Sequence, residues 1–218
     1  MDIARWMEAY TAAVRQAFGK RVRCVGLQGS QARGEAAADS DIDVVLILDR
    51  WEPEDWPRYE TVLAGLPERD RVCGFVSGRE ELLCWEPSEL CGFYYDTEPW
   101  YGNLEELKER FGVSDARRAV RMGACGIYHA CAHNRLHEKD AGLLRELYKS
   151  AFFVLRTAHF CRTGAFIRRR ADLLPLLGGA DRAILAAGLP DGETAGGFTE
   201  RSDALLGWAA GVIRSFSS

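Results

Sequence analysis

No apolar run in this sequence approaches the ~20 residues that a membrane-spanning helix needs, so no membrane partner is expected. Positive charge is not in excess either. The 28 lysines and arginines are outnumbered by 32 acids, for a formal net charge of −4. A protein that reads long nucleic acids usually carries a basic field, so that class is disfavoured. The seven cysteines include no C-x-x-C pair, and the opening MDIARWMEAY is acidic and amphipathic, unlike a secretory leader. The cysteines therefore read as reduced thiols, mostly buried, of a cytoplasmic protein. Internal repeats and low-complexity tracts are also missing.

What is present is ordinary globular material. Of 218 residues, 47% are hydrophobic and 28% charged, enough for one large domain or two small ones. Residues 2–18 carry Ile3, Trp6, Met7, Tyr10, Val14 and Phe18 at helical spacing, with Gly19 as a C-cap. Strands are predicted at 21–28, 42–48 and 71–78, with a short helix over 30–36 and another helix ending before Pro67. Residues 89–97 read as an edge strand and 97–103 as an aromatic loop containing Trp100 and Tyr101. From about residue 104 the pattern turns helical. One long helix is predicted over 114–138 with Ser114 as N-cap, and another over 140–163 between Asp140 and Gly164. Shorter helices follow at 170–177, 180–187 and 199–216. The change of composition sets a domain boundary near residue 112, giving domains 1–112 and 113–218.

One stretch carries chemistry. GSQARGEAAADSDID, residues 29–43, runs directly into the apolar VVLIL. Gly29 permits a tight turn and close approach to an anion. Ser30 can cap a short helix whose free N–H groups favour phosphate. Asp41 and Asp43 are two apart, so on a strand they share a face. Two neighbouring carboxylates repel unless a cation lies between them. Mg²⁺ suits such a pair, being held by one or two carboxylates plus substrate phosphates.

The pattern G-S-x10-D-x-D, formed by Gly29, Ser30, Asp41 and Asp43 and sharpened by Arg33-Gly34 and Ser40, resembles the nucleotidyltransferase superfamily related to DNA polymerase beta. It is similar to the small bacterial branch that includes aminoglycoside nucleotidyltransferases and minimal nucleotidyltransferases. The resemblance implies an α+β protein: an N-terminal nucleotidyltransferase fold, a mixed sheet flanked by helices, followed by a C-terminal helical bundle that binds substrate. It implies Mg²⁺ on Asp41 and Asp43, ATP or another NTP as co-substrate, and Gly29, Ser30 and Arg33 around the phosphates. A second, shorter similarity lies in LRTAHFCRTGAFIRRRADLLPLL, where Arg169 matches a cation that faces the triphosphate in aminoglycoside adenylyltransferases. Lys149 is the other basic candidate. The family also uses a third carboxylate, often on the strand after D-x-D, but RVCGFVSG contains no acid. Glu89, Asp96 and Glu146 are the open alternatives, with Asp96 slightly favoured because it precedes a turn.

Two further groupings bear on function. Cys125, His129, His133 and His137 are spaced by four and share a helix stripe; this is expected to be a packed or cleft-facing polar stripe more than a metal site. Trp85, Phe93, Tyr94, Tyr95, Trp100 and Tyr101 crowd one region, as core packing or as a wall for a base or sugar. The expected activity is transfer of AMP from ATP to a hydroxyl of a small, aminoglycoside-like acceptor. AMPylation of a partner protein, as in toxin–antitoxin pairs, and non-catalytic nucleotide binding are the alternatives.

Overall fold

A computed structural model describes residues 1–189 and 196–217. The chain forms two compact units, Met1–Phe111 and Gly112–Ser218.

The first unit is a four-stranded mixed sheet between two helical layers. In chain order its elements are α1 (Ile3–Phe18), β1 (Val22–Leu27), α2 (Gly29–Arg33), β2 (Ile42–Leu48), α3 (Asp55–Ala64), β3 (Val72–Gly78), α4 (Arg79–Leu83), α5 (Pro87–Asp96) and β4 (Glu98–Gly102), closed by a 3-10 turn at Glu105–Glu109. The strand order is β3-β2-β1-β4. β1 runs antiparallel to β2 and β4, and β2 runs parallel to β3.

Alternation along β2 decides which way the acids point. Ile42, Val44, Leu46 and Leu48 bury on the face covered by α1 and α3, beside Trp6, Tyr10, Phe18 and Tyr59. Val45 and Ile47 bury on the opposite face, with Leu82, Leu90 and Leu107. Asp43 has the parity of Val45 and Ile47, so its side chain leaves the sheet on the α5 face. α1 is held at its start by Asp2, which accepts from the Arg5 N–H at 3.2 Å. A buried 2.8 Å hydrogen bond between the Tyr10 and Tyr59 hydroxyls ties α1 to α3.

The second unit is all helical where described: α6 (Val113–His133), a π turn at Asn134–Glu138, α7 (Ala141–Thr163), α8 (Arg170–Leu173), α9 (Gly179–Ala187) and α10 (Phe198–Ser215). Its core joins Val120, Ala124 and Ile127 of α6 to Leu144, Phe152 and Leu155 of α7 and Leu205, Trp208 and Val212 of α10. Asn134, fully buried, closes the α6–α7 connection. Its amide donates to the Asp140 carbonyl at 2.9 Å and accepts from the Asp140 N–H at 2.8 Å. Asp140 caps α7 by accepting from the N–H groups of Gly142 and Leu143.

Several expectations are corrected here. Residues 89–97 are not an edge strand: residues 87–96 form α5. Pro87 sits in the first turn and Glu86 caps it by accepting from the Ser88 N–H, a start signal that outweighs the β-prone aromatics. The edge strand is β4, one turn later, and it takes in Trp100 and Tyr101, which pack on the α1 side of the sheet rather than in a loop. The long helix predicted over 114–138 is α6 from Val113 to His133, continued directly by the π turn at Asn134–Glu138. Gly112, not Ser114, occupies its cap, and the Gly112 N–H donates to the Asp115 carboxylate at 3.0 Å. Three cysteines are buried, three are exposed and Cys161 lies between, so most are not buried.

Candidate active site

The turn between β1 and α2 puts backbone and carboxylate in contact. Gly29 has φ +68°, a left-handed conformation that side-chain-bearing residues rarely adopt. A Cβ at this position would collide with the Asp43 carboxylate. The glycine therefore serves twice, making the turn and clearing the space that the Asp43 carboxylate occupies. The Gln28 N–H donates to the Asp43 carbonyl at 2.7 Å, which pins the turn to β2. α2 has only five residues, so phosphate contact there would rest on single N–H groups and the Ser30 hydroxyl rather than on a long helix dipole.

Asp41 is exposed and Asp43 half-buried. Burial raises the Asp43 carboxyl above its ordinary range; the Asp41 and Asp96 carboxylates push the same way, and Arg33 opposes them. Like charges thus gather around Asp43, as a cation site requires.

Asp96, at the last turn of α5, is buried. Its carboxylate accepts from Arg33 Nη1 at 3.3 and 3.4 Å. Arg33 is itself buried and also donates from Nε to Glu35 at 3.1 Å. Arg33, expected beside the phosphates, thus bonds two acids, Asp96 and Glu35. Proximity of Asp96 to Asp43 depends on a small residue in β1. A Cβ at Gly26 would strike the Thr97 side chain, so only glycine lets the α5–β4 corner lie against the strand. The corner is latched by Gln28, whose Nε2 donates to Thr97 Oγ1 at 2.7 Å.

The other candidates fall elsewhere. Glu89 lies in the first turn of α5, exposed, and accepts from Trp85 Nε1 at 2.8 Å. It precedes Asp96 by seven positions on the helix, about 10 Å along the axis. On β3 the residue paired with Asp43 is Cys73, not an acid. Lys149 and Glu146 pair with each other at 2.8 Å on the exposed side of α7. Arg169, also exposed, lies 3.9 Å from Asp172. These three belong to the second unit. In the histidine stripe the His133 and His137 rings are 4.8 Å apart and His133 lies 3.6 Å from Glu138. Among the described residues no three His, Cys, Asp or Glu side chains gather to hold a metal ion. Asp41 and Asp43 are thus a pair, which suits Mg²⁺ completed by phosphate and water oxygens.

Sequence reading passed over Gln28, Thr97, Gly26 and Arg71. Arg71 Nη2 and Nε donate to the Ser40 carbonyl at 2.6 and 3.1 Å, and the Ser40 hydroxyl accepts from the Ala37 N–H at 2.9 Å. Together these bonds fix the loop that delivers Asp41. Only Gln28, immediately before the Gly-Ser pair, carried a positional signal.

Residues 10–91 match the family model described as a nucleotidyltransferase domain. The first unit is accordingly a nucleotidyltransferase domain, as its motif and mixed sheet indicate. The fold of the whole chain is similar to the crystal structure of spectinomycin adenyltransferase AAD(9) from Enterococcus faecialis, solved with ATP and spectinomycin. That likeness has a TM-score of 0.58 at 13% identity and covers 97% of this chain and 99% of that one. No curated protein matches the chain in sequence. Among the described residues no helix is long and apolar enough to cross a membrane.

Proposed function

We propose that the protein transfers a nucleoside monophosphate, AMP from ATP, to a hydroxyl of a small acceptor. The observation that carries this reading is the Asp41–Asp43 pair at the head of β2, with the Asp43 carboxylate seated against Gly29 of the Gly-Ser turn. In the transfer, the acceptor oxygen forms a bond to the α-phosphorus and the bond to the β-phosphate bridging oxygen breaks, so pyrophosphate leaves. Mg²⁺ fits the paired carboxylates and would supply charge neutralisation at the phosphates when bound. Ser30 and the backbone of the turn would contact the leaving phosphates. Asp96, held by Arg33, would receive the acceptor proton. Lys149 and Arg169 are the second unit's cations of the right type for phosphate. The remaining rate advantage is orientation and fixed charge.

The neighbour solved with spectinomycin makes that compound the first acceptor to try. Incubation with Mg²⁺ and each α-labelled NTP should label a small molecule from a panel that includes spectinomycin and aminoglycosides. Label on a single protein band from lysate would favour AMPylation instead. Nucleotide binding without label on anything would remove the transfer reading.

A further inference from the structure

A cavity of about 340 Å³ opens at the end of α5, and its lining includes Tyr95 and Thr97, the two chain neighbours of Asp96. Its size is in the ~300–1,000 Å³ range of small-molecule sites. We infer that this cavity binds an uncharged, hydroxyl-bearing six-membered ring, and that this ring belongs to the acceptor. The inference rests on the transfer reading only for the word acceptor, because ring binding needs neither nucleotide nor turnover.

Shape argues first. The apolar walls are Tyr94, Tyr95, Pro99 and Leu104. The two tyrosine rings meet at 82° with centroids 5.1 Å apart, so they do not form the parallel slot that a flat nucleobase would fill. An edge and a face at right angles suit a puckered ring with C–H groups on one side and hydroxyls on its rim.

Charge argues second. Glu105 and Lys108 are the only ionised groups in the lining. Lys108 Nζ lies 2.6 Å from Glu105, and the Tyr94 hydroxyl donates to the same carboxylate at 2.8 Å. These bonds lower the Glu105 carboxyl and raise the Lys108 ammonium, so both stay ionised and cancel. Such a rim offers hydrogen bonds in both directions with no net attraction for a polycation or a phosphate. Asn103, in the lining, accepts from the Glu105 N–H at 3.1 Å through its oxygen, so its NH₂ is the amide's donor group. An aminoglycoside-type polycation is therefore not what this pocket selects, although a neutral ring of a larger molecule would enter it.

Lys108 is the specificity element, and replacing it should change the preferred charge. Saturation-transfer NMR on the full chain, without nucleotide, would compare two probes with the same carbocycle: neutral scyllo-inositol and dicationic 2-deoxystreptamine. Wild type should favour the inositol. Asn103→Trp, at an exposed position of the lining, should abolish its signal. Lys108→Met leaves Glu105 uncompensated and should move the preference toward 2-deoxystreptamine by roughly fivefold, the upper reach of one exposed ion pair. No transfer to inositol in wild type overturns the proposal, as does displacement of inositol by adenosine or an unchanged preference in Lys108→Met. Ring binding that survives in Asp41→Asn supports the cavity independently of the transfer chemistry.

Discussion

The Asp43 carboxylate occupies the space that a side chain on residue 29 would fill. Turn and ligand are thereby one unit: the backbone conformation of Gly29 is what allows Asp43 to face the β1–α2 turn.

Gly29→Ala tests this contact. The left-handed φ costs an alanine about 1 kcal/mol, and the added methyl must displace the carboxylate. The expected result is a folded protein by circular dichroism with transfer reduced by roughly 100-fold or more, a scale set by misplacement of a reacting group. Retained activity would separate Gly29 from Asp43 function.

Asp43 should trade stability for function. Its carboxyl is raised, chiefly by burial, above the ordinary value of 3.8. The folded state therefore holds that proton more tightly than the unfolded chain does. Its contribution to stability is best below 3.8 and is lost as pH rises through the folded pKa. At neutral pH, Asp43→Asn removes this penalty, so its melting temperature should exceed wild type by roughly 2 °C or more while transfer is abolished. Added Mg²⁺ should stabilise wild type more than the variant. Differential scanning fluorimetry with and without Mg²⁺ reads both.

Arg33→Gln should act through its neighbours. Arg33 holds Asp96 at 3.3 Å and lowers the Asp43 carboxyl. Without it, Asp96 is a buried acid lacking this cation, which costs about 3 kcal/mol in urea unfolding. The acid limb of the pH–rate profile should move to higher pH as Asp43 becomes harder to ionise. Arg33→Lys should restore part of that limb. A loss of stability with an unmoved profile would make Arg33 purely structural.

Arg21 supports the far end of β2. It donates to both oxygens of the buried Asp55 at 2.8 and 2.7 Å, and to Asp49 at 3.1 Å. Arg21 holds the Asp55 carboxyl below the ordinary value of 3.8. The pair's contribution is present above 3.8 and fades as pH falls through the lowered pKa. Arg21→Ala should cost about 2 kcal/mol at pH 7, discounted because Arg21 is partly exposed, and the gap to wild type should close in acid. A constant gap down to the acid transition would exclude this ion pair as its source.

Local pattern alone determined much of this protein. Period-two alternation put Asp43 on the face of β2 opposite Ile42 and Val44, and the Gly-Ser pair, separated from Asp41 by ten residues, marked the turn that Asp43 meets. Helical spacing and caps at Gly19, Asp140 and Gly164 were also readable, because they depend on near neighbours in the chain. Tertiary structure decided what distance in sequence hides. Residues 33 and 96 become partners only because Gly26 lets the α5–β4 corner lie on β1, and no spacing rule reports a contact across 63 positions. The aromatics near residue 94 suit a strand by propensity, yet Pro87 and the Glu86 cap made them a helix whose end carries Asp96 to the site. Nearest-neighbour chemistry is written along the chain, whereas burial and long-range pairing exist only once the sheet has brought its edges together.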